Sequence, residues 1–208
     1  VLVDTERWVQ LKSGIHSPVY FQLRALPETR VWHEVVLRMA EFYSWLRKTN
    51  KVGAVQGFFG VPEGARDIAA AMAYSLSLRP VRIDARTKGH GLEKHLIGAS
   101  AGMRVAVIED VGTSGTSIME KGVLPLRAHN VSVVFAMMIA THDIGVDEAL
   151  QQAGVTAFAL CRSRDVIVEL FRAHPQRYPL PVQAAVHAWF KDPAAASERY
   201  NASLRAPA

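Results

Sequence analysis

The chain has 208 residues, half of them hydrophobic and 21% charged, with a formal net charge of +5; such globular usage provides for one domain with a large core. No stretch approaches the roughly 20 uninterrupted apolar residues of a membrane span, and the basic residues are dispersed with no run of five, which weakens a nucleic-acid reading and suits a polyanionic small substrate. The single Cys161, in the apolar run Ala157-Phe-Ala-Leu-Cys161, excludes an intramolecular disulfide, fits a reducing cytoplasm and reads as a buried structural thiol. The first residues show no basic stretch followed by an apolar one, so no secretory signal is expected, and the start at Val1 leaves room for an upstream piece.

From about residue 30 onward, strand-like and helix-like segments alternate, which predicts an α/β fold with a parallel sheet and crossover helices. Residues 31–48 set Val35, Val36, Met39, Phe42 and Leu46 at helical spacing. Residues 52–57 read as a buried strand, 64–78 as an Ala-rich helix, and 80–83 as a short strand alternating Val81 and Ile83 around Arg82. Residues 85–101 are polar, Gly-containing and without period, which gives a long loop or a floppy hairpin; such long segments are usually functional. A strand over 104–110, a helix over 117–127, a strongly apolar strand over 131–139, a short helix over 145–152 and a last strand over 155–160 complete the alternation. The tail beyond Cys161 reads as two helical stretches with a Pro-rich hinge, Tyr178-Pro-Leu-Pro181, and an end expected to fray. There is no internal repeat. The pattern is that of a doubly wound sheet with its ligand at the carboxyl ends of the strands.

The most informative stretch is Val107-Ile-Glu-Asp-Val-Gly-Thr-Ser-Gly-Thr-Ser117. An apolar strand ends in two adjacent carboxylates, Glu109 and Asp110, which the pleat directs to opposite faces. A loop of small residues, hydroxyls and backbone N–H groups follows, able to wrap a phosphate at a helix N-terminus. Acids beside a phosphate cradle make sense when the ligand also carries hydroxyls or Mg²⁺, as a phosphorylated ribose does. An ordinary strand–turn–helix corner is the bland alternative.

These residues resemble the phosphoribosyl-pyrophosphate (PRPP) signature of the type I phosphoribosyltransferases. The resemblance implies a type I phosphoribosyltransferase fold: a doubly wound parallel sheet with flanking helices and a small hood region. It further implies that Glu109 and Asp110 hold the ribose hydroxyls and that Val111, Gly112, Thr113, Ser114, Gly115, Thr116 and Ser117 hold the 5′-phosphate. Two further segments bring it closest to the orotate phosphoribosyltransferases. Leu11-Lys-Ser-Gly-Ile-His-Ser-Pro-Val-Tyr-Phe21 is similar to their Leu-Lys-Ser-Gly-Arg-x-Ser-Pro segment, and Lys88-Gly-His-Gly91 to the Lys-x-His-Gly part of their mobile catalytic loop. Lys12 would then reach the pyrophosphate and the base, and Tyr20 and Phe21 would flank the flat base, with Thr113 and His142 beside it. Val61, Pro62, Glu63 and Gly64 fall where the family has its pyrophosphate loop, whose geometry flanking glycines permit.

Lys88 and His90 would stabilise charge on departing pyrophosphate, with Asp110 as the third catalytic candidate and loop closure excluding water. The implied activity is transfer of phosphoribosyl from Mg²⁺–PRPP to orotate, giving orotidine 5′-phosphate and pyrophosphate. The implied assembly is a homodimer in which residues 85–101 complete the neighbouring site. The resemblance covers roughly residues 8–172 of one 208-residue domain, with 1–30 forming the hood and 173–208 a helical tail.

Four short segments depart from the family pattern. Ile15 replaces an Arg, Asp84 and Ala85 stand where Arg and Lys are usual, Glu63 stands where some members have Lys, and Thr141-His142 replaces Asp-Arg. A neutral His is a weaker carboxylate partner than Arg. Either orotate is read differently here, or the base is not orotate, or His142 is an incidental surface residue. Two other readings stay open: a phosphoribosyltransferase for another nucleobase, and a PRPP-binding regulator with weakened catalysis.

Overall fold

A computed structural model describes residues 1–11, 13–88 and 91–205, with only the backbone described for 85–88 and 91–94. The chain opens with four two-residue strands, β1 (Leu2–Val3), β2 (Val9–Gln10), β3 (His16–Ser17) and β4 (Val19–Tyr20), and a 3₁₀ turn over Leu23–Glu28. There follow α1 (Trp32–Lys48), β5 (Gly57–Gly60), α2 (Arg66–Ser75), β6 (Arg79–Lys88), β7 (Gly91–Ile97) and β8 (Arg104–Gly112). Next come α3 (Thr116–Ile118), which runs through a π turn over Met119–Val123 into α4 (Leu124–Ala128), then β9 (Ser132–Thr141), α5 (Val146–Gln152) and β10 (Thr156–Arg162). The last helices are α6 (Ser163–Ala173), α7 (Leu180–Lys191) and α8 (Pro193–Arg205).

Among the described residues the main sheet has the order β10-β9-β8-β5-β6-β7, parallel throughout except that β7 runs antiparallel to β6. Strand β8 is buried along both faces, and the pleat sorts its side chains into two cores. Ala106 and Ile108 join Phe58, Ile68 and Met72 beneath α1 and α2. Val105 and Val107 join Phe59, Ile118, Leu126 and Leu150 beneath α3 to α5. Crossovers that leave β5 in one direction and β8 in the other put their helices on opposite faces, as right-handed connections require. The chain thus changes direction between β5 and β8, and a crevice opens there at the carboxyl ends of the strands.

Several elements differ from the sequence expectation for identifiable reasons. The strand expected at 52–57 is β5 at Gly57–Gly60, because Val52 and Val55 bury into the α1–α2 core without pairing. Gln56 marks the true start: its backbone bonds to Arg104 and Arg79, and its side chain accepts from the Arg104 N–H at 3.0 Å. The segment 85–101, open between a loop and a hairpin, is mostly a hairpin, with β6 and β7 in register from Arg82 opposite Ile97 to Lys88 opposite Gly91. The helix expected at 117–127 contains the π turn just before Pro125, whose missing N–H cannot extend a regular ladder. The tail holds three helices instead of two, and α7 and α8 bury Trp189, Ala196 and Ser197; of the end expected to fray, residues 206–208 lie outside the described residues.

Gly60 ends β5 where α2 begins to fold back over it. A Cβ there would lie 2.7 Å from the Arg66 Cα and from the Ala65 carbonyl carbon, both backbone atoms that cannot rotate away. Gly60→Ala should therefore destabilise the fold by about 1–3 kcal/mol, read as a lowered urea midpoint at unchanged slope.

Candidate active site

At the carboxyl end of β8 lies a cleft of about 240 Å³. One wall is the end of β8 and the loop after it: Glu109, Asp110, Val111, Gly112, Thr113, Gly115 and Ser117 all line it. The opposite wall is the N-terminal segment, through Val9, Gln10, Leu11, Tyr20, Phe21 and Arg24. His142, in the turn after β9, closes the floor.

Alternation along β8 settles how the acid pair is displayed. Asp110 follows Ala106 and Ile108 toward the α2 side, where it lies so close to Gly64 that a Cβ on that residue would strike its carboxylate. Glu109 is on the other face and is 4% exposed. Its Oε1 accepts the Asp110 N–H at 3.1 Å, and the Asp110 Oδ1 accepts the Val111 N–H at 2.8 Å. The backbone thus holds both carboxylates at the start of the loop. Gly115, with φ +81°, turns the chain into α3 in a left-handed conformation that suits glycine. No N-cap side chain bonds the first turn of that helix, whose dipole favours an anion at this end.

Of the loop residues, Ser114 and Thr116 bond each other through their hydroxyls at 3.0 Å and do not line the cleft. None of Val61, Pro62, Glu63 and Gly64 lines the cleft, although Gly64 lies beside the Asp110 carboxylate, and the peptide bond between Pro62 and Glu63 is cis. The Glu63 carboxylate is occupied by Arg66, 3.3 Å away on the surface. Lys12 and His90 lie outside the described residues, as does the side chain of Lys88.

His142 is a buried residue, 5% exposed, and not an incidental surface one. Its turn fixes it inward: the His142 N–H donates to the Gly112 carbonyl at 2.9 Å, and the Asp143 N–H donates to the Thr141 hydroxyl at 3.0 Å. The imidazole stands edge-on between Phe21 and Trp189, with centroids 5.6 and 5.7 Å away. Its Nδ1 is buried with no hydrogen-bond partner. Burial pushes its pKa down to about 4, so the ring is neutral near pH 7. Cys161 is half-buried; its thiol donates to the Ile139 carbonyl at 3.1 Å and burial raises its pKa, which suits a structural role.

Sequence reasoning missed Arg24 and Trp189. Arg24, exposed in the 3₁₀ turn, is the one cationic side chain lining the cleft among the described residues, and it makes no ion pair there. Its place two turns of chain beyond the Ser-Pro segment gave no periodic signal. Trp189 reaches the site from a helix 47 positions beyond His142, which no local pattern reveals.

No family model matches the chain. It is 30% identical over 165 residues to the orotate phosphoribosyltransferase of Sulfolobus acidocaldarius, covering 79% of this chain and 80% of that one. It is 32% identical over 158 residues to that of Methanospirillum hungatei, covering 76% and 86%. The crystal structure of orotate phosphoribosyltransferase from Aeropyrum pernix superposes with a TM-score of 0.64 at 25% identity, covering 80% of this chain and 91% of the other.

The titration of His142 has a measurable consequence. The unfolded chain takes up its proton below about pH 6.5, whereas the folded chain resists it until about pH 4. The stability contribution is full above pH 6.5 and falls as the pH drops toward 4, amounting to about 2 kcal/mol between pH 7 and pH 4.5. Urea unfolding across this range should show that slope, and His142→Asn should flatten it.

Proposed function

The chain belongs to the orotate phosphoribosyltransferases, pentosyltransferases of pyrimidine nucleotide biosynthesis, and from that premise we propose that the cleft seats PRPP against β8 and the base beneath the N-terminal segment. The observation that carries this reading is the convergence of Glu109, Asp110 and the 111–117 loop on the aromatic pair Tyr20 and Phe21 in one cleft. Glu109 and Asp110 hold the ribose hydroxyls. The backbone of 113–117 and the Thr113 and Ser117 hydroxyls hold the 5′-phosphate. The 61–64 loop presents backbone to the pyrophosphate, since the Glu63 carboxylate is turned to Arg66. Residues 1–208 act as one domain in this scheme, with 1–30 as the hood over the base.

Bond breaking at C1 of the ribose leaves positive charge on the sugar and negative charge on pyrophosphate. The chain's work is positioning and charge stabilisation, with no covalent intermediate on the protein. The two carboxylates oppose an oxocarbenium-like ribose electrostatically. Tyr20 and Phe21 hold the flat base, and Arg24 supplies the cation for its carboxylate that the neutral His142 does not. The oxygen-rich acid pair also suits Mg²⁺; the ion, brought with PRPP, would neutralise pyrophosphate as it leaves.

The cleft shows two carboxylates and one cation among the described residues, a poor balance for a pyrophosphate leaving group. We assign the missing positive charge to Lys12 and to Lys88 and His90, the latter two delivered on the β6–β7 hairpin from the neighbouring subunit of a homodimer. The lone thiol suits a cytoplasmic setting.

Incubation with Mg²⁺–PRPP and a panel of nucleobases should release pyrophosphate with orotate alone; turnover of another base but not orotate would reject this reading. Asp110→Asn should lower kcat/KM about a hundredfold or more, and mixing it with inactive Lys88→Ala should restore activity that neither variant shows alone. Arg24→Met should raise KM for orotate about tenfold or more, through loss of a charge-assisted pair, while KM for PRPP stays unchanged.

A further inference from the structure

The wall that covers the base cannot stand by itself. Its strands are two-residue ladders, Leu2 and Val3 against Tyr20 and Val19, and Val9 and Gln10 against Ser17 and His16. An isolated hairpin is marginal in water even when longer than these. The core beneath them comes from the far end of the chain. Val19 and Phe21 pack with Ile167 and Phe171 of α6 and Val186 of α7, while Leu11 packs with Trp189 and Ala196.

Directional contacts then fix the wall in place. The Trp189 indole N–H donates to the His16 carbonyl at 2.8 Å. The His16 N–H donates to the Ser197 hydroxyl at 2.9 Å, and the Trp8 N–H donates to the Tyr200 hydroxyl at 3.0 Å. The Tyr200 ring stacks on Trp8 with centroids 4.7 Å apart and planes 3° from parallel. Trp189 also backs His142, the floor of the cleft, so one side chain touches both surfaces between which the base is proposed to sit.

We propose that α7 and α8 form a positioning strap for the acceptor half of the site, with Trp189 and Tyr200 as positioning residues that set the separation between the 9–11 strand and His142. The proposal rests on the base-side assignment given above. Acceptor binding depends on the strap, whereas PRPP binding depends on β8 and its loop.

Two conservative variants isolate the positioning contacts. Trp189→Phe keeps an aromatic ring but deletes the donor to His16, and Tyr200→Phe keeps the stack but deletes the acceptor for the Trp8 N–H. Each should raise KM for orotate about three- to tenfold, the range for one lost hydrogen bond, with KM for PRPP and the calorimetric affinity for Mg²⁺–PRPP unchanged. Parallel rises in both KM values, a fall in kcat alone, or no change would overturn the proposal.

Hydrogen exchange on Tyr200→Ala gives a readout independent of turnover. The amides of residues 8–11 should lose protection while those of 104–112 keep theirs. Equal loss in both segments, or none in 8–11, would overturn the strap. A wild-type protein that shows this contrast yet turns over no orotate would reject the assigned function and leave the strap standing.

Discussion

Burial of β8 on both faces is the constraint from which the site follows. A strand packed between two helical layers has no solvent face for a charge until it emerges from the sheet. Glu109 and Asp110 stand at that point of emergence, where Val105 to Ile108 are fully buried behind them. The pleat then sends the two acids apart, Asp110 toward Gly64 and the loop after β5, Glu109 toward the helices packed on the other face. The reversal of strand order between β5 and β8 opens the crevice where both can reach one ligand. In the proposed scheme, ribose recognition is in this sense a property of the sheet.

The acceptor side is built on a different principle. It has no long strands and little regular hydrogen bonding, and it relies on aromatic packing: Phe21, His142 and Trp189 meet edge to face in sequence. Edge-to-face contacts specify ring orientation without committing a charge. A buried imidazole in such surroundings stays neutral, so in the proposed scheme an anionic base is recognised from the rim, where Arg24 stands in solvent. The cleft therefore joins a floor that recognises a flat ring to a mouth that handles charge.

The legibility of these two halves in the sequence differs for the same reason. Residues 107–117 are contiguous and carry strand, acids, loop and helix start together, so both their structure and their chemistry can be read locally. The crossover pattern and the α1 stripe of Val36, Met39, Tyr43 and Leu46 are local too, since periodicity exposes them. Val52 and Val55 misled because an apolar run resembles a buried strand whether or not it pairs, and only the partners of Gly57 to Gly60 decide. The hairpin of β6 and β7 was half-visible, because Val81 and Ile83 alternate at its start whereas the sequence from 84 to 95 is mostly polar. The inward turn of His142 depends on the Gly112 carbonyl, and its burial depends on Trp189; neither is encoded next to it.

The bond between Trp8 and Tyr200 joins residues 192 positions apart. Closing so long a loop costs entropy that only contacts formed late can recover. During synthesis the 8–16 segment leaves the ribosome first, yet it has nothing to rest on until α7 and α8 follow, because a chain folds from its N-terminus with what has already emerged. The phosphoribosyl-binding sheet can be complete while the hood over the base is still unsupported. On the proposed assignment, competence to bind the two substrates is thereby ordered in time: a nascent or C-terminally clipped chain has the sugar half of the site before, or without, the half that selects the base.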